Sequence, residues 1–316
     1  MISLIAVFLS AAVVSLLATF PMVWLLSLFK LGQPVREEGP VSHRAKAGTP
    51  TMGGIGFVIT IFALILILID VEFHPQYLAL LLLTAAFAAV GLTDDLLKVF
   101  RRQNLGLTFR QKIFLQIAAA AAFAIYMTFS GHNLTLSGFL SNSGFSDPYL
   151  YQFLLIFIIV GSANAANLTD GLNGLLAGTA GIAFLAFAFL SVKLHVPEAN
   201  VFSLVSAGAI LAFLYFNFPK AKVFMGDVGS LALGAALAGL AIILHKELRL
   251  MVIGGIFVIE ALSVIIQVMF YKLFKRRIFK MAPLHHHFEL MGWPEIRIVL
   301  LFWSIALILG IIGIVI

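Results

Sequence analysis

Residues 76–93 read QYLALLLLTAAFAAVGLT and are followed directly by Asp94 and Asp95. About 20 apolar residues are enough to cross the hydrocarbon core of a membrane as a helix. Backbone amide and carbonyl groups inside a bilayer must be satisfied within the segment, which favours a helix for such a run. The stretch therefore predicts a transmembrane helix that ends on two adjacent carboxylates.

Similar apolar runs recur along the whole chain. Hydrophobic residues make up 62% of the 316 residues and charged residues only 11%, whereas soluble domains have about 25% charged residues. The composition excludes a soluble protein and predicts one all-α, polytopic membrane domain over residues 1–316. With the run above we predict ten transmembrane helices, the other nine at residues 2–29, 52–69, 113–130, 150–166, 174–192, 200–216, 229–244, 250–274 and 297–316.

The 20 Lys and Arg residues are distributed unevenly among the gaps between these runs. One set of alternate gaps contains only Lys193, Lys246 and Arg249, and all the others lie in the opposite set or at the run ends that border it. The positive-inside rule places the basic-rich gaps in the cytoplasm and both termini outside. Anionic lipid headgroups account for the net charge of +6, so no nucleic-acid partner is predicted. The absence of cysteine excludes disulfides and thiolate metal sites.

Two of the cytoplasmic gaps contain aspartates that are candidates for phosphate and metal chemistry. Asp94 and Asp95 lie at a helix C-terminus, whose partial negative charge is unfavourable for them unless cations compensate. Lys98 lies four residues after Asp94 and offers part of that compensation. A hard divalent cation offers more, because Mg²⁺ binds one or two carboxylates together with substrate phosphate oxygens. A solvated helix end is the alternative interpretation of the pair.

The second carboxylate stretch is FMGDVGS, residues 224–230, which contains Asp227. The following helix is predicted to begin at about Gly229, and a helix N-terminus attracts anions. Glycines on either side of Asp227 permit a phosphate to approach the backbone closely. Together with the Asp pair, this stretch predicts a phosphate and metal site in a cleft on the cytoplasmic face.

An amide-rich segment, NAANLTDGLNG at residues 164–174, lies on the same predicted side. It contains Asn164, Asn167, Asp170 and Asn173. Amides and carboxylates can recognise the edge of a base or sugar by paired hydrogen bonds. A helix cap needs only one or two such residues, so capping alone does not explain the whole set.

Three consecutive histidines occupy residues 285–287 in the string PLHHHFE. Histidine can transfer protons or bind phosphate near neutral pH. Contiguous side chains fan out around a helix, so a zinc site that uses all three is disfavoured, and a structural role is the further alternative. A separate polar series, Glu260, Ser263 and Gln267, lies at helical spacing within an apolar run. Such residues face the bundle interior, either in a hydrogen-bond network or along a lipid or proton path.

Together with KAGTPTMGG at residues 46–54, these strings resemble the phospho-N-acetylmuramoyl-pentapeptide transferase family, within the polyprenyl-phosphate N-acetylhexosamine-1-phosphate transferase superfamily. The resemblance covers nearly the whole chain. It implies that UDP-N-acetylmuramoyl-pentapeptide and undecaprenyl phosphate react to give lipid I and UMP. It also implies a Mg²⁺ cofactor, a homodimer, a bent ninth helix beside a lipid groove, and a multi-pass protein of the bacterial cytoplasmic (inner) membrane whose active site faces the cytoplasm.

The resemblance also implies roles for individual residues. Asp227 is the expected ligand of Mg²⁺. The catalytic group comprises Asp94, Asp95, Asp227, Lys98, Lys112 and His286. The substrate-binding group comprises Lys46, Thr51, Asn164, Asn167, Asp170, Gly171, Asn173, Asn217, Phe224, His285 and His287. Asn173 departs from the family pattern, which has Asp at this position, although its amide oxygen can still accept a hydrogen bond from a uracil N–H.

Several alternatives remain open at the level of sequence. Direct attack by the lipid phosphate and a covalent aspartyl intermediate both fit the residues. A transferase for UDP-N-acetylglucosamine or another UDP-hexosamine is the nearest rival function. A membrane transporter is a more remote one, because a transporter needs charges along a path at mid-membrane and Glu260 alone lies deep in a predicted span.

Overall fold

The structure is a computed structural model that describes residues 3–28, 48–101, 103, 105–130 and 148–316. This part of the chain is organised as twelve α-helices. They are α1 (Leu4–Leu28), α2 (Gly54–Leu68), α3 (Pro75–Arg101), α4 (Phe109–Phe129), α5 (Pro148–Thr169), α6 (Leu175–Lys193), α7 (Pro197–Asn217), α8 (Gly226–Ile243), α9 (Glu247–Ile253), α10 (Gly255–Phe274), α11 (Leu284–Leu290) and α12 (Glu295–Val315).

The prediction of an all-α, polytopic membrane protein is confirmed. Within the described residues, nine helices are long and apolar enough to cross a membrane. Helix α2 is apolar but has only 15 residues, which at 1.5 Å per residue span about 22 Å. The predicted count of ten spans therefore stays a prediction. The run predicted at residues 250–274 is divided at Gly254 into α9 and α10.

Helix α8 lies at the centre of the bundle. Nearly all of its residues are buried, and its sequence is rich in alanine and glycine. Small residues let neighbouring helix backbones approach closely, and α3, α5 and α2 pack around α8. This packing brings the C-terminal ends of α3 and α5 against the N-terminal end of α8. The polar residues of all three helices meet there.

Helix α10 holds the chain segment that returns toward α11. The side-chain oxygen of Gln267 accepts hydrogen bonds from the backbone N–H groups of Ile278 (3.1 Å) and Phe279 (3.0 Å), and its amide donates to the Phe279 carbonyl (3.0 Å). Glu260, two turns earlier on α10, contacts His285 at the start of α11. The polar series on this helix thus forms a hydrogen-bond network, in agreement with one of the two sequence interpretations.

Candidate active site

Three carboxylates converge where α3 meets α8. One oxygen atom from each of Asp94, Asp95 and Asp227 lies within 4.8 Å of the other two. The Asp95 side chain is fully buried, Asp94 is 4% exposed and Asp227 is 15% exposed. Asp227 is in the first turn of α8, which begins at Gly226 and not near Gly229 as predicted. Its carboxylate therefore lies at the positive end of the helix dipole.

Two lysines compensate this negative charge. The Lys98 ammonium nitrogen lies 2.6 Å from Asp94 Oδ2, 3.1 Å from Asp227 Oδ2 and 3.8 Å from Asp95 Oδ1. Lys112, from α4, places its nitrogen 2.6 Å from Asp227 Oδ2 and 4.0 Å from Asp94 Oδ2. Three carboxylates and two ammonium groups leave one formal negative charge in the cluster. This arrangement brings together all five of the predicted acidic and basic catalytic residues.

Backbone and amide donors hold the carboxylates in place. Asp94 Oδ1 accepts the Leu107 N–H (2.8 Å), and Asp95 Oδ2 accepts the Val228 N–H (3.2 Å). The Asn167 amide donates to Asp227 Oδ1 and to the Ser230 hydroxyl, both at 2.8 Å. Asn167, which was predicted to bind substrate, thus orients the most exposed of the three acids.

The segment before α2 is attached to the Asp227 loop by backbone pairing. The Phe224 N–H donates to the Pro50 carbonyl (2.8 Å), and the Gly53 N–H donates to the Phe224 carbonyl (2.9 Å). Thr51 is buried between them at 1% exposure. Gly226 has a positive φ of 78°, and a Cβ there would meet the Asp95 carboxylate and Thr51. Gly226 is therefore required for packing within the protein, whereas the sequence suggested an approach route for phosphate.

The loop between α5 and α6 contains three of the predicted substrate-binding residues, Asp170, Gly171 and Asn173. Burial raises the pKa of the Asp170 carboxyl well above its ordinary value, and the negative charges of Asp227 and Asp95 raise it further. Asp170 is thus electrostatically coupled to the acid cluster. A carboxyl of this kind binds a proton more readily than an exposed one, which suits a site that receives anionic phosphates.

Asn173 and Asn217 fix the shape of this loop. The Asn173 amide donates to the Pro219 carbonyl (3.1 Å), and its backbone N–H donates to the Glu295 carboxylate (2.7 Å). Asn217 accepts the Gly174 N–H (2.8 Å) and donates to the Val223 carbonyl (3.0 Å). Both side chains are buried. Their hydrogen bonds tie the α5–α6 loop to the segment that leads into α8.

A second amide pair lies one turn from the acid cluster. The Asn164 amide donates to Gln116 Oε1 (2.6 Å) and to the Val160 carbonyl (2.8 Å). Gln116 lies on α4, four residues after Lys112, and is fully buried. Asn164, another predicted substrate ligand, is therefore held within the protein in this structure.

The three histidines of α11 have three different partners. His285 is fully buried and contacts Glu260 twice. His286 Nδ1 lies 2.7 Å from a Glu289 carboxylate oxygen, and His287 Nδ1 accepts the Lys280 N–H at 3.1 Å. The rings of His285 and His286 lie 4.1 Å apart, whereas the His287 ring packs against Phe279. The exclusion of a three-histidine zinc site stays a prediction.

The acid cluster fits a magnesium ion in its donor set. Carboxylate oxygens are hard ligands of the kind that Mg²⁺ binds, at about 2.0–2.1 Å. Opposite ligands of such an ion are about 4.2 Å apart, and the three carboxylate oxygens here lie within 4.8 Å of one another. Asp227 is the most exposed of the three acids and therefore the most accessible to such an ion.

Sequence reasoning missed three contributors to the site. Ser230 lies three residues after Asp227 on α8, so helical spacing could have predicted its place beside Asn167. Gln116 follows Lys112 by the same kind of spacing. Glu295 comes from α12, far away in sequence, and no local pattern indicates its contact with Asn173. Lys46, a predicted substrate-binding residue, lies outside the described residues.

Comparisons with known proteins agree with these features. The glycosyl transferase family 4 profile matches residues 77–245, and phospho-N-acetylmuramoyl-pentapeptide-transferase signature 1 matches residues 46–58. The chain is 49% identical over 291 residues to the phospho-N-acetylmuramoyl-pentapeptide-transferase of Shouchella clausii, which covers 92% of this chain and 90% of that protein. It is 45% identical over 305 residues to the protein of the same name from Bacillus subtilis, covering 95% and 94%.

Proposed function

The chain belongs to the phospho-N-acetylmuramoyl-pentapeptide transferase family, and on that premise we propose that it transfers phospho-N-acetylmuramoyl-pentapeptide from its UDP-linked form to undecaprenyl phosphate. The products are lipid I and UMP, so the chain performs the first membrane step of peptidoglycan synthesis. The observation that carries this assignment is the cluster of three carboxylates and two lysines at one end of a membrane-spanning bundle.

The chemistry requires positioning and charge neutralisation more than covalent participation. An oxygen of the lipid phosphate attacks the sugar-bearing phosphorus of the UDP-sugar, and the bond from that phosphorus to the bridging oxygen breaks as UMP leaves. Enzymes of phosphoryl transfer act mainly by holding these groups in line and stabilising negative charge. Lys98 and Lys112 can hold phosphate oxygens, because both already bind carboxylate oxygens at this point.

The burial of the three acids suggests different roles for them. Asp95 is fully buried and accepts the Val228 N–H, so it supports the cluster and is poorly placed to act as a nucleophile. Asp94 contacts Lys98 and can orient the lipid phosphate or accept its proton. This division favours direct attack over a covalent aspartyl intermediate.

Asp227 is the residue that would hold Mg²⁺, with Asn167 and Ser230 fixing its orientation. When bound, the ion would supply charge neutralisation to the pyrophosphate of the substrate. We assign the loops beside the acid cluster to the nucleotide. The predicted substrate-binding residues in and around these loops are Asp170, Gly171, Asn173, Asn217, Thr51 and Phe224. We assign His286 to the catalytic group, and we assign His285 and His287 to the substrate-binding group.

The membrane arrangement follows from the same proposal. The chain is a multi-pass protein of a bacterial membrane, and we place it in the cytoplasmic (inner) membrane. The ten predicted spans, α2 among them, put both termini outside and the acid cluster at the cytoplasmic face. A homodimer is the proposed assembly, and light scattering in detergent tests it.

One assay tests the central assignment. Purified protein is incubated with undecaprenyl phosphate and UDP-N-acetylmuramoyl-pentapeptide, with Mg²⁺ or with EDTA, and UMP release is followed. We expect turnover that requires Mg²⁺. The same assay with UDP-N-acetylglucosamine separates the nearest rival, and release of UMP from that substrate alone would overturn the proposal.

A further inference from the structure

A buried pair on α10 and α11 includes an acid, Glu260, to which the mechanism above assigns no role. Glu260 lies within α10, and its side chain and that of His285 are both fully buried. Glu260 Oε1 accepts the His285 backbone N–H (3.2 Å), and Oε2 lies 3.1 Å from His285 Nδ1. An ionised carboxylate only accepts hydrogen bonds, so an imidazole that bonds to an ionised Glu260 does so through a proton on Nδ1.

The other ring nitrogen meets the proposed nucleotide loop. His285 Nε2 is buried without a hydrogen-bond partner. It lies against Gly171 so closely that a methyl group in place of one Gly171 hydrogen would overlap it. That Cα hydrogen therefore points at Nε2. An unprotonated nitrogen can accept such a weak C–H contact, whereas an N–H at the same place would collide with it.

Both contacts select the same tautomer. We propose that Glu260 is a positioning residue of the transferase, which acts through His285 to hold the Asp170–Gly171 loop in its binding conformation. The carboxylate keeps the proton on Nδ1 and leaves Nε2 bare, and the bare nitrogen permits Gly171 to pack against the ring. This gives a role to an acid that the sequence placed in the middle of an apolar run, and it rests on the proposed assignment of the loop to the nucleotide.

Glu260→Gln tests the chain of contacts. The glutamine oxygen would keep the bond from the His285 backbone N–H, so its NH₂ group would face Nδ1. The ring proton would then move to Nε2 and push Gly171 and the adjacent Asp170 away. We expect the KM for the UDP-sugar to rise by about tenfold or more, since small misplacements at a binding site have effects of this size. The KM for undecaprenyl phosphate should stay within about threefold.

Two controls separate positioning from stability. Glu247 is also a buried carboxylate, 3% exposed, bonded to the Tyr151 hydroxyl at 2.6 Å, and it lies beyond the opposite end of α8. Glu247→Gln should leave both KM values unchanged. In a His285→Gln background, Glu260→Gln should add no further rise in KM, because the two residues act as one unit. Equal effects of Glu260→Gln and Glu247→Gln, or additive effects in the double variant, would overturn the proposal.

A spectroscopic measurement on the parent protein does not depend on how any variant of Glu260 folds. Nitrogen-15 NMR of labelled histidine distinguishes protonated from bare ring nitrogens, and the His285 signals are those lost in His285→Gln. We expect protonated Nδ1 and bare Nε2. A protonated Nε2 would contradict the proposal. If the parent shows the expected tautomer but does not release UMP, the assignment of the His285 tautomer stands and the proposed reaction fails.

Discussion

At the N-terminal end of α8, three carboxylates share two ammonium groups, whereas beyond its C-terminal end the carboxyl of Glu247 accepts a hydrogen bond from the hydroxyl of Tyr151. Both places bury acids in the same bundle. Glu247 accepts a hydrogen bond from a neutral tyrosine hydroxyl, with no ammonium group bonded to it among the described residues. The Asp94–Asp95–Asp227 cluster instead combines three carboxylates with two lysines, and this set of converging charged groups distinguishes a site for cations and phosphates from an internal bond.

Among the substitutions that test this comparison, Asp227→Asn is expected to have the largest effect on turnover. The change is nearly isosteric but removes the charge that holds Lys98, Lys112 and a metal ion, and its NH₂ group would face one of the existing donors. We expect turnover to fall by about 10³-fold, which is the upper end of the loss usually caused by removing one stabilising donor. UMP release at limiting Mg²⁺ measures it, and activity within about tenfold of the parent would remove Asp227 from the metal site.

Lys98→Met and Lys112→Met compare the two cations. Either change should lower turnover by about 10²-fold, because one phosphate-holding charge is lost. Lys98 contacts all three carboxylates and Lys112 only two, so Lys98→Met should also lower the thermal unfolding midpoint more. Equal midpoints for the two variants would show that the three-way contact of Lys98 contributes little to stability.

Asp170→Asn should separate binding from stability. Nucleotide affinity should fall by about tenfold, a loss of about 1.4 kcal/mol, which calorimetry measures. The pKa of Asp170 is raised in the folded protein. Its stabilising contribution to the free energy of unfolding is therefore fully present below the pKa of the unfolded state, which is about 3.9. That contribution is lost as the pH rises toward the folded pKa. The asparagine variant, which cannot ionise, should therefore unfold at a higher temperature than the parent in EDTA, and the gap should widen with pH.

Asn173→Asp restores the residue usual in the family and should destabilise this chain moderately. The Asn173 amide now donates to the Pro219 carbonyl, and a carboxylate oxygen there would face another acceptor. Leaving such a buried group unsatisfied costs about 1–3 kcal/mol, seen as a lower unfolding midpoint. If the aspartate variant is as stable as the parent, the hydrogen bond from Asn173 to Pro219 contributes little to holding the loop.

Glu247→Gln should have the smallest effect. The Tyr151 hydroxyl can donate to an amide oxygen as it does to the carboxylate, so turnover should match that of the parent within about twofold. A large loss of turnover would mean that the Glu247–Tyr151 pair is coupled to the chemistry at the other end of α8. The distinction drawn between the two ends of this helix would then be wrong.

The membrane helices and the polar motifs with candidate catalytic residues were predictable from sequence, because each depends on a local pattern of residues. Apolar length indicates the spans, and Asp94, Lys98 and Asp227 stand out as charges at their ends. Helix breaks were less predictable. Gly254 interrupts an apolar run without changing its hydropathy, and α8 begins three residues earlier than expected.

Sequence alone determined that this chain is a membrane protein, which motifs bear its chemistry and which family those motifs resemble. Tertiary structure alone decided which of these residues touch. Asn167 binds Asp227 and Glu260 binds His285 because helices distant in sequence pack side by side. Hydropathy is a property of each segment, whereas a hydrogen bond between segments depends on how their surfaces fit, and no local pattern contains that information.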